Sequence, residues 1–216
     1  GHFKPESTDL FYRNGMLTFA RICKVGCIET TMALKAPDIL NYFQDRYPDV
    51  DLEFRSEMRN SLISEVMNYN LDAAFISAPI NSKAISQIKV KEEQLVILTS
   101  SNSPKLEEML ANQPINIVVF GEGCIFRTRI ESWLSSKGII HYKSTVLNSI
   151  EGIVNFVESG IGISILPEEV VSNYYSGRKI STYGLNKEVG TMNTVLIYRN
   201  NESPSRALKA FIDMYL

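Results

Sequence analysis

The sequence predicts an α/β protein of two lobes, the second inserted into the first and joined to it by two crossing strands. Three observations carry this. Strand-like and helix-like segments alternate, the pattern of sheets covered by helices. The alternation falls into two blocks, one ending at Pro79 and one running over 115–166. Two apolar β-type runs, 95–99 (LVILT) and 195–198 (VLIY), have the character of crossings between hinged lobes. The division expected is 15–94 plus 199–216 for lobe one and 95–198 for lobe two, with 1–14 a poorly structured lead-in.

In the first block, 17–22 reads as a strand and the polar run Glu29, Thr30, Thr31 follows it. Ala36, Ile39, Leu40, Phe43 and Tyr47 recur at helical spacing; Pro37 offsets the first turn, and Tyr47-Pro48 ends the helix. Val50, Leu52 and Phe54 alternate with Asp51 and Glu53, a half-buried strand. Leu62, Ile63, Val66 and Met67 mark the inner face of the next helix, and 71–78 (LDAAFISA) is a buried parallel strand. In the second block, 115–120 (INIVVF) is a strand and 121–124 (GEGC) the loop beyond it. A helix over 126–137 turns Ile130, Trp133 and Leu134 inward and stops at Gly138. Ser149 caps a helix carrying Ile153, Val154 and Val157, which ends at Gly160 before a short strand over 161–166. The chain closes with a strand over 194–198 and a helix capped by Ser203, with Pro204 at its first position and Leu208, Phe211, Ile212 and Tyr215 inward.

Composition excludes several classes of function. The 216 residues are 44% hydrophobic and 21% charged, ordinary for a globular protein. The longest apolar run falls short of eighteen residues, so no membrane span is expected, and the start lacks the pattern of a secretory signal. Gly1 and His2 read as the remnant of a removed tag. The net charge of −2 and the absence of a basic run argue against nucleic-acid binding by this piece alone. Three cysteines, an odd number, point to a reducing, cytoplasmic setting and not to a disulfide framework.

Ligands of open α/β sheets bind beyond the carboxyl ends of the strands, against helix N-termini. Five loops meet that description. They place Glu29, Thr30 and Thr31 after the first strand, Met58 and Arg59 (with Glu57) after the second, and Ser77, Ala78 and Pro79 after the third. The second lobe contributes Gly123, Cys124, Phe126 and Arg127, then Asn148 and Ser149. Amides and hydroxyls at helix starts favour a carboxylate or another small anion, and Arg59 and Arg127 would add charge-assisted bonds. The bland alternatives are that Thr30, Thr31 and Ser149 are only caps, that Gly121 and Gly123 only make a turn, and that Arg127 only pairs with a neighbouring carboxylate. Cys124 at a helix start is a weak oxidant-sensor candidate without an evident resolving partner. Catalytic groups are sparse. Apart from His2, His141 is the sole histidine; the cysteine spacing fits no compact zinc motif, and no phosphate-loop motif occurs. The expectation is a binding protein, not an enzyme, needing no cofactor or metal.

Five segments in order resemble the effector-binding domain of LysR-type transcriptional regulators, a likeness that covers about 15–216. They are CIETTMALKAPDILNYFQDRYPDVDLEF at 27–54, LISEVMNYNLDAAFISAP at 62–79, QLVILTSSNSP at 94–104, VVFGEGCIFRTRIESWLSSKGI at 118–139 and NSIEGIVNFVESGIGISILP at 148–167. The resemblance implies a periplasmic-binding-protein-like (type II) fold, two Rossmann-like lobes with a small-molecule effector in the cleft. It implies homodimers in which the helix over 34–46 packs on the partner's second lobe, tetramers for the full-length protein, and DNA contact only through a separate N-terminal domain. Thr30, Thr31, Ser77, Ser149 and the run from Cys124 to Arg127 match the family's usual effector contacts, whereas Glu57-Met58-Arg59 departs from the Gly-Thr turn of many members. A stand-alone solute-binding protein and an enzyme on the same fold are the alternatives.

Overall fold

The computed structural model describes residues 10–13, 16–19, 21–112, 114–200 and 204–216. The tag remnant and the Ser203 cap lie outside the described residues. Strands β1 (Leu10–Arg13) and β2 (Met16–Phe19) pair antiparallel, so part of the lead-in is ordered. The first strand of the lobe is β3 (Arg21–Cys27), later than the 17–22 expected; a short apolar run marks a strand but not its bounds.

Helices α1 (Glu29–Leu34) and α2 (Ala36–Arg46) follow, separated at Lys35, with Pro37 in the first turn of α2, where its missing N–H costs nothing. Strand β4 (Val50–Ser56) lies parallel to β3, then α3 (Arg59–Met67), then β5 (Ala73–Ser77), parallel to β3 on its other side. Met67, expected inward, is exposed at the end of the helix; Leu62 and Val66 are buried on that face, with Ile63 partly buried beside them.

Strand β6 (Ile85–Ser100) is the crossing element. Its first ten residues pair with β11 (Thr191–Arg199) in the first lobe, and its last six pair with strands of the second lobe. The second lobe runs α4 (Leu106–Ala111), β7 (Ile115–Val119), α5 (Ile125–Ser136), β8 (Tyr142–Val146), α6 (Ile150–Glu158), β9 (Ser164–Pro167), α7 (Glu168–Tyr174), β10 (Ile180–Gly184) and α8 (Lys187–Gly190). Along the sheet the order is β10-β6-β11-β5-β3-β4, with β9 on β6, while β7 pairs parallel with β8 and forms a single parallel bridge from Ile117 to Ile163, the residue before β9. Thr194–Tyr198, expected in the second lobe as the return crossing, pairs with Ser77–Ala73 of β5 inside the first lobe's sheet. Apolar character shows that a strand is buried but not which sheet buries it.

The last helix, α9 (Arg206–Ile212), is capped by Ser205, whose hydroxyl accepts from the Leu208 N–H at 3.1 Å; Pro204 therefore precedes the cap. Its aromatic residue Phe211 meets Phe43 of α2 and Phe75 of β5 edge-on, joining helices and sheet in one core. A second core fills the inserted lobe, and Leu34 at the end of α1 is buried in it, crossing from one lobe to the other. Gly162 shows how tightly that lobe is closed. A Cβ there would stand 2.4 Å from the Asn116 carbonyl oxygen, so the β7–β9 approach admits only glycine.

Candidate functional site

The carboxyl ends of β3, β4 and β5 face those of the second lobe across a cavity of about 410 Å³. One wall comes from lobe one: Ile28 and Glu29 after β3, Ser56 to Arg59 after β4, and Ser77 at the end of β5. The other comes from lobe two: Phe120, Gly121 and Cys124 to Phe126 after β7, and Asn148 after β8.

Seven of the residues expected at the site line this cavity: Glu29, Met58, Arg59, Ser77, Cys124, Phe126 and Asn148. The other seven do not, each for a local reason. Thr30 and Thr31 turn into the protein as α1 winds, and both are buried. Ser149 spends its hydroxyl on the Gly152 N–H at 3.1 Å, the cap of α6. Arg127 pairs with Glu131 one turn on, Nε to Oε1 2.9 Å, which also holds its guanidinium above its usual range. Gly123 makes an exposed turn at φ +84°. Ala78 and Pro79 leave the wall behind Ser77; the Pro79 carbonyl accepts from Arg59.

The cavity also holds Ile28, Ser56, Phe120 and Gly121, which were not expected to contact a ligand, together with Ile125, from the run 124–127 that the resemblance matched, and Glu57, from the loop after the second strand. Ser56 and Phe120 sit at or just past the ends of predicted strands, and that position was the available signal. Apolar residues at strand ends read as core from sequence alone.

Hydrogen bonding at the wall is unevenly spent. The N-cap residues of α1, α3 and α5 are Ile28, Met58 and Cys124, and no side chain caps any of these helices. All three N-cap residues line the cavity, so the first turns of these helices begin at its wall. Arg59 is already engaged: Nε donates to the Ser77 carbonyl at 2.9 Å, one terminal nitrogen to the Pro79 carbonyl at 2.5 Å and the other to Asn60 Oδ1 at 3.4 Å. Ser77 is fully buried and its Oγ has no hydrogen-bond partner among the described residues. Burial pushes the Cys124 thiol up, against the weaker opposite pull of the Phe126 and Arg127 N–H groups, so it stays protonated at neutral pH. Among the described residues no group of three His, Cys, Asp or Glu side chains is placed to hold a metal ion.

The two walls are fastened to each other at one corner. Lys35, between α1 and α2, pairs with Glu169 of α7 at 3.2 Å, and Lys91 of β6 pairs with the same carboxylate. The Tyr174 hydroxyl of α7 donates to the Ala33 carbonyl of α1 at 3.0 Å.

Residues 19–216 match the family model described as the LysR substrate binding domain. The HTH-type transcriptional regulator CzcR of Bacillus cereus is 31% identical over 191 residues, which cover 88% of this chain and 65% of that protein. The chain thus spans just under two thirds of the length of that curated relative. Among solved structures, the effector binding domain of QuiR in complex with shikimate superposes with a TM-score of 0.77 at 21% identity, covering 91% of this chain and 96% of that one. Full-length CbnR complexed with its target DNA gives a TM-score of 0.70 at 15% identity, covering 89% and 68%. The fold is therefore the periplasmic-binding-protein-like (type II) arrangement, and the chain belongs to the LysR substrate-binding-domain family.

Proposed function

We propose that this chain is the effector-sensing part of a bacterial LysR-type transcription regulator. It binds a small metabolite bearing an anionic group between its lobes, and in the intact protein this controls DNA binding and transcription. The observation that carries the reading is the cavity itself. Its walls come from both lobes, so any occupant contacts both and stabilises one lobe geometry over others. The uncapped helix starts at Met58 and Cys124 supply N–H donors to that anionic group. The solved effector binding domain of QuiR in complex with shikimate supports a small-molecule ligand in this fold. The CbnR complex with its target DNA supports a DNA-binding role for the intact molecule. On this reading the intact protein works in the cytoplasm as a homodimer and, at full length, as a tetramer. DNA contact comes through a domain outside this chain, and the chain performs no catalysis.

The test is thermal denaturation of the chain with a panel of small carboxylates, beside a Gly121→Trp variant. A Cβ at Gly121 has only Met58 Cε nearby, at 3.7 Å, so the indole projects into open cavity and fills it. A ligand at 100 times its Kd stabilises by about 2.7 kcal/mol, a shift of several degrees. Loss of the shift in Gly121→Trp with an unaltered ligand-free melting point is the expected outcome. A shift of equal size in both proteins places the ligand elsewhere and refutes the reading.

A further inference from the structure

The charges around the cavity are unbalanced in a direction that an anion alone does not answer. Three ionised side chains line it: Glu29, Glu57 and Arg59. Arg59 spends all three of its nitrogens on Ser77, Pro79 and Asn60, none of them an anion. Neither Glu29 nor Glu57 belongs to an ion pair among the described residues. The two carboxylates stand on neighbouring strand ends. Cys27 of β3 is in register with Ser56 of β4, which places Glu29 and Glu57 one or two residues beyond the same edge of the sheet. A ligand bringing only negative charge would meet them unpaired in a partly enclosed space.

The same cavity offers donors elsewhere. The first turns of α3 and α5, nine and twelve residues long, begin there without a side-chain cap. Ser77, fully buried at the wall, has a hydroxyl without a hydrogen-bond partner among the described residues. Donors and acceptors thus share one cavity, the starts of α3 and α5 beside the carboxylates beyond β3 and β4, with Glu57 one residue ahead of the α3 N-cap.

We propose that the ligand is amphoteric, an amino-carboxylate whose carboxylate meets the starts of α3 and α5 and whose protonated amine lies against Glu29 and Glu57. This rests on the cavity being the effector site, as proposed above. It narrows the ligand from an anion to a zwitterion, and it gives Glu57 a role in choosing it. The apolar part of the wall, Ile28, Phe120 and Phe126, then takes the carbon skeleton.

The experiment is calorimetric titration and thermal denaturation of the chain with matched triads. Each consists of an amino acid (the proteinogenic L-amino acids and the three- to six-carbon ω-amino acids), the same skeleton without the amine, and the same skeleton without the carboxylate. At least one amino-carboxylate is expected to bind, with each truncated partner weaker by roughly tenfold or more, the worth of one charge-assisted bond. Glu57→Gln, at an exposed position that leaves the core untouched, is expected to weaken the amino-carboxylate by a similar factor and to bind the deaminated acid at least as well as before. A deaminated acid or a bare amine binding as tightly as its parent overturns the zwitterion while leaving the cavity as the site. Binding that persists in Gly121→Trp overturns both, and no binding by any member of the triads overturns the zwitterion.

Discussion

Replacing Glu169 by Gln should loosen the corner where the lobes are fastened without disturbing either core. The carboxylate of Glu169 holds two ammonium groups, Lys35 at the end of α1 and Lys91 on the crossing strand. The side chains involved are 31–40% exposed, so solvent screens both pairs and each is worth about 0.2–1 kcal/mol. Losing both removes about 0.4–2 kcal/mol, which multiplies the population opened at this corner roughly 2- to 30-fold. Two contacts remain, the Tyr174–Ala33 hydrogen bond and buried Leu34, so opening stays a minority event. Hydrogen exchange followed by mass spectrometry reads this directly. The α1 amides of Met32 and Lys35, bonded to the Ile28 and Thr31 carbonyls, should exchange faster by that factor. The Leu62 amide of α3, bonded to Met58, should exchange as before. The gap between wild type and variant should shrink as salt is raised. Unchanged exchange in α1 at low salt, or equal acceleration in α3, would refute the latch.

Glu93, on the crossing strand, is buried, accepts from Thr194 Oγ1 at 3.0 Å and faces Lys91 and Lys35; burial outweighs these and raises its carboxyl above the ordinary range. A raised folded-state value means stability that is complete below the ordinary value, about 4.3, and lost as pH climbs through the raised one. Glu93→Gln should therefore gain stability relative to wild type as pH rises from about 4 to 7; parallel urea-unfolding midpoints across that window would show that Glu93 is not strained. Burial also governs the thiols, with Cys23 and Cys27 pushed up to about 12 and Cys124 raised as well. At pH 7.5 all three should alkylate with iodoacetamide at least about tenfold more slowly than free cysteine, and Cys124 reacting at the free rate would restore it as an oxidant sensor.

What the sequence revealed and what it hid divide along a physical line. Periodicity is a property of one segment, so α2, β4, α3, β5, α5 and α6 were legible from their own residues. Partnership belongs to two segments, so the sheet to which Thr194–Tyr198 belongs was not. The first ten residues of β6 hid for another reason. Val90 and Ile88 alternate with Lys89 and Lys91, a half-exposed strand, but the run of charges from Lys89 to Glu93 reads as a solvated loop. The site followed the same division. Topology told which loops converge, and each of the five supplies at least one lining residue. Side-chain direction within those loops depends on the local helix start. Thr30 and Thr31 fall on the inward side of α1 one residue after Glu29 enters the cavity, and Ser149 turns back on its own helix.

Helix α1 joins ligand and lobe movement in six residues. Its first residue, Glu29, is in the cavity wall; its last, Leu34, is buried in the core of the other lobe, and Ala33 and Lys35 carry the bonds to α7. A helix this short cannot bend between its ends without breaking its own hydrogen bonds, so it moves as a unit. A ligand that draws Glu29 toward the opposite wall therefore acts on the same body that Leu34 and Lys35 anchor. Its effect on the lobes is set by the difference in its affinity for the two positions of that body, not by how tightly it binds. Weakening the α7 corner should then alter the response to the ligand and the resting lobe equilibrium together. A mutation at Arg59, whose side-chain hydrogen bonds all stay within the first lobe, should change affinity while leaving that equilibrium where it was.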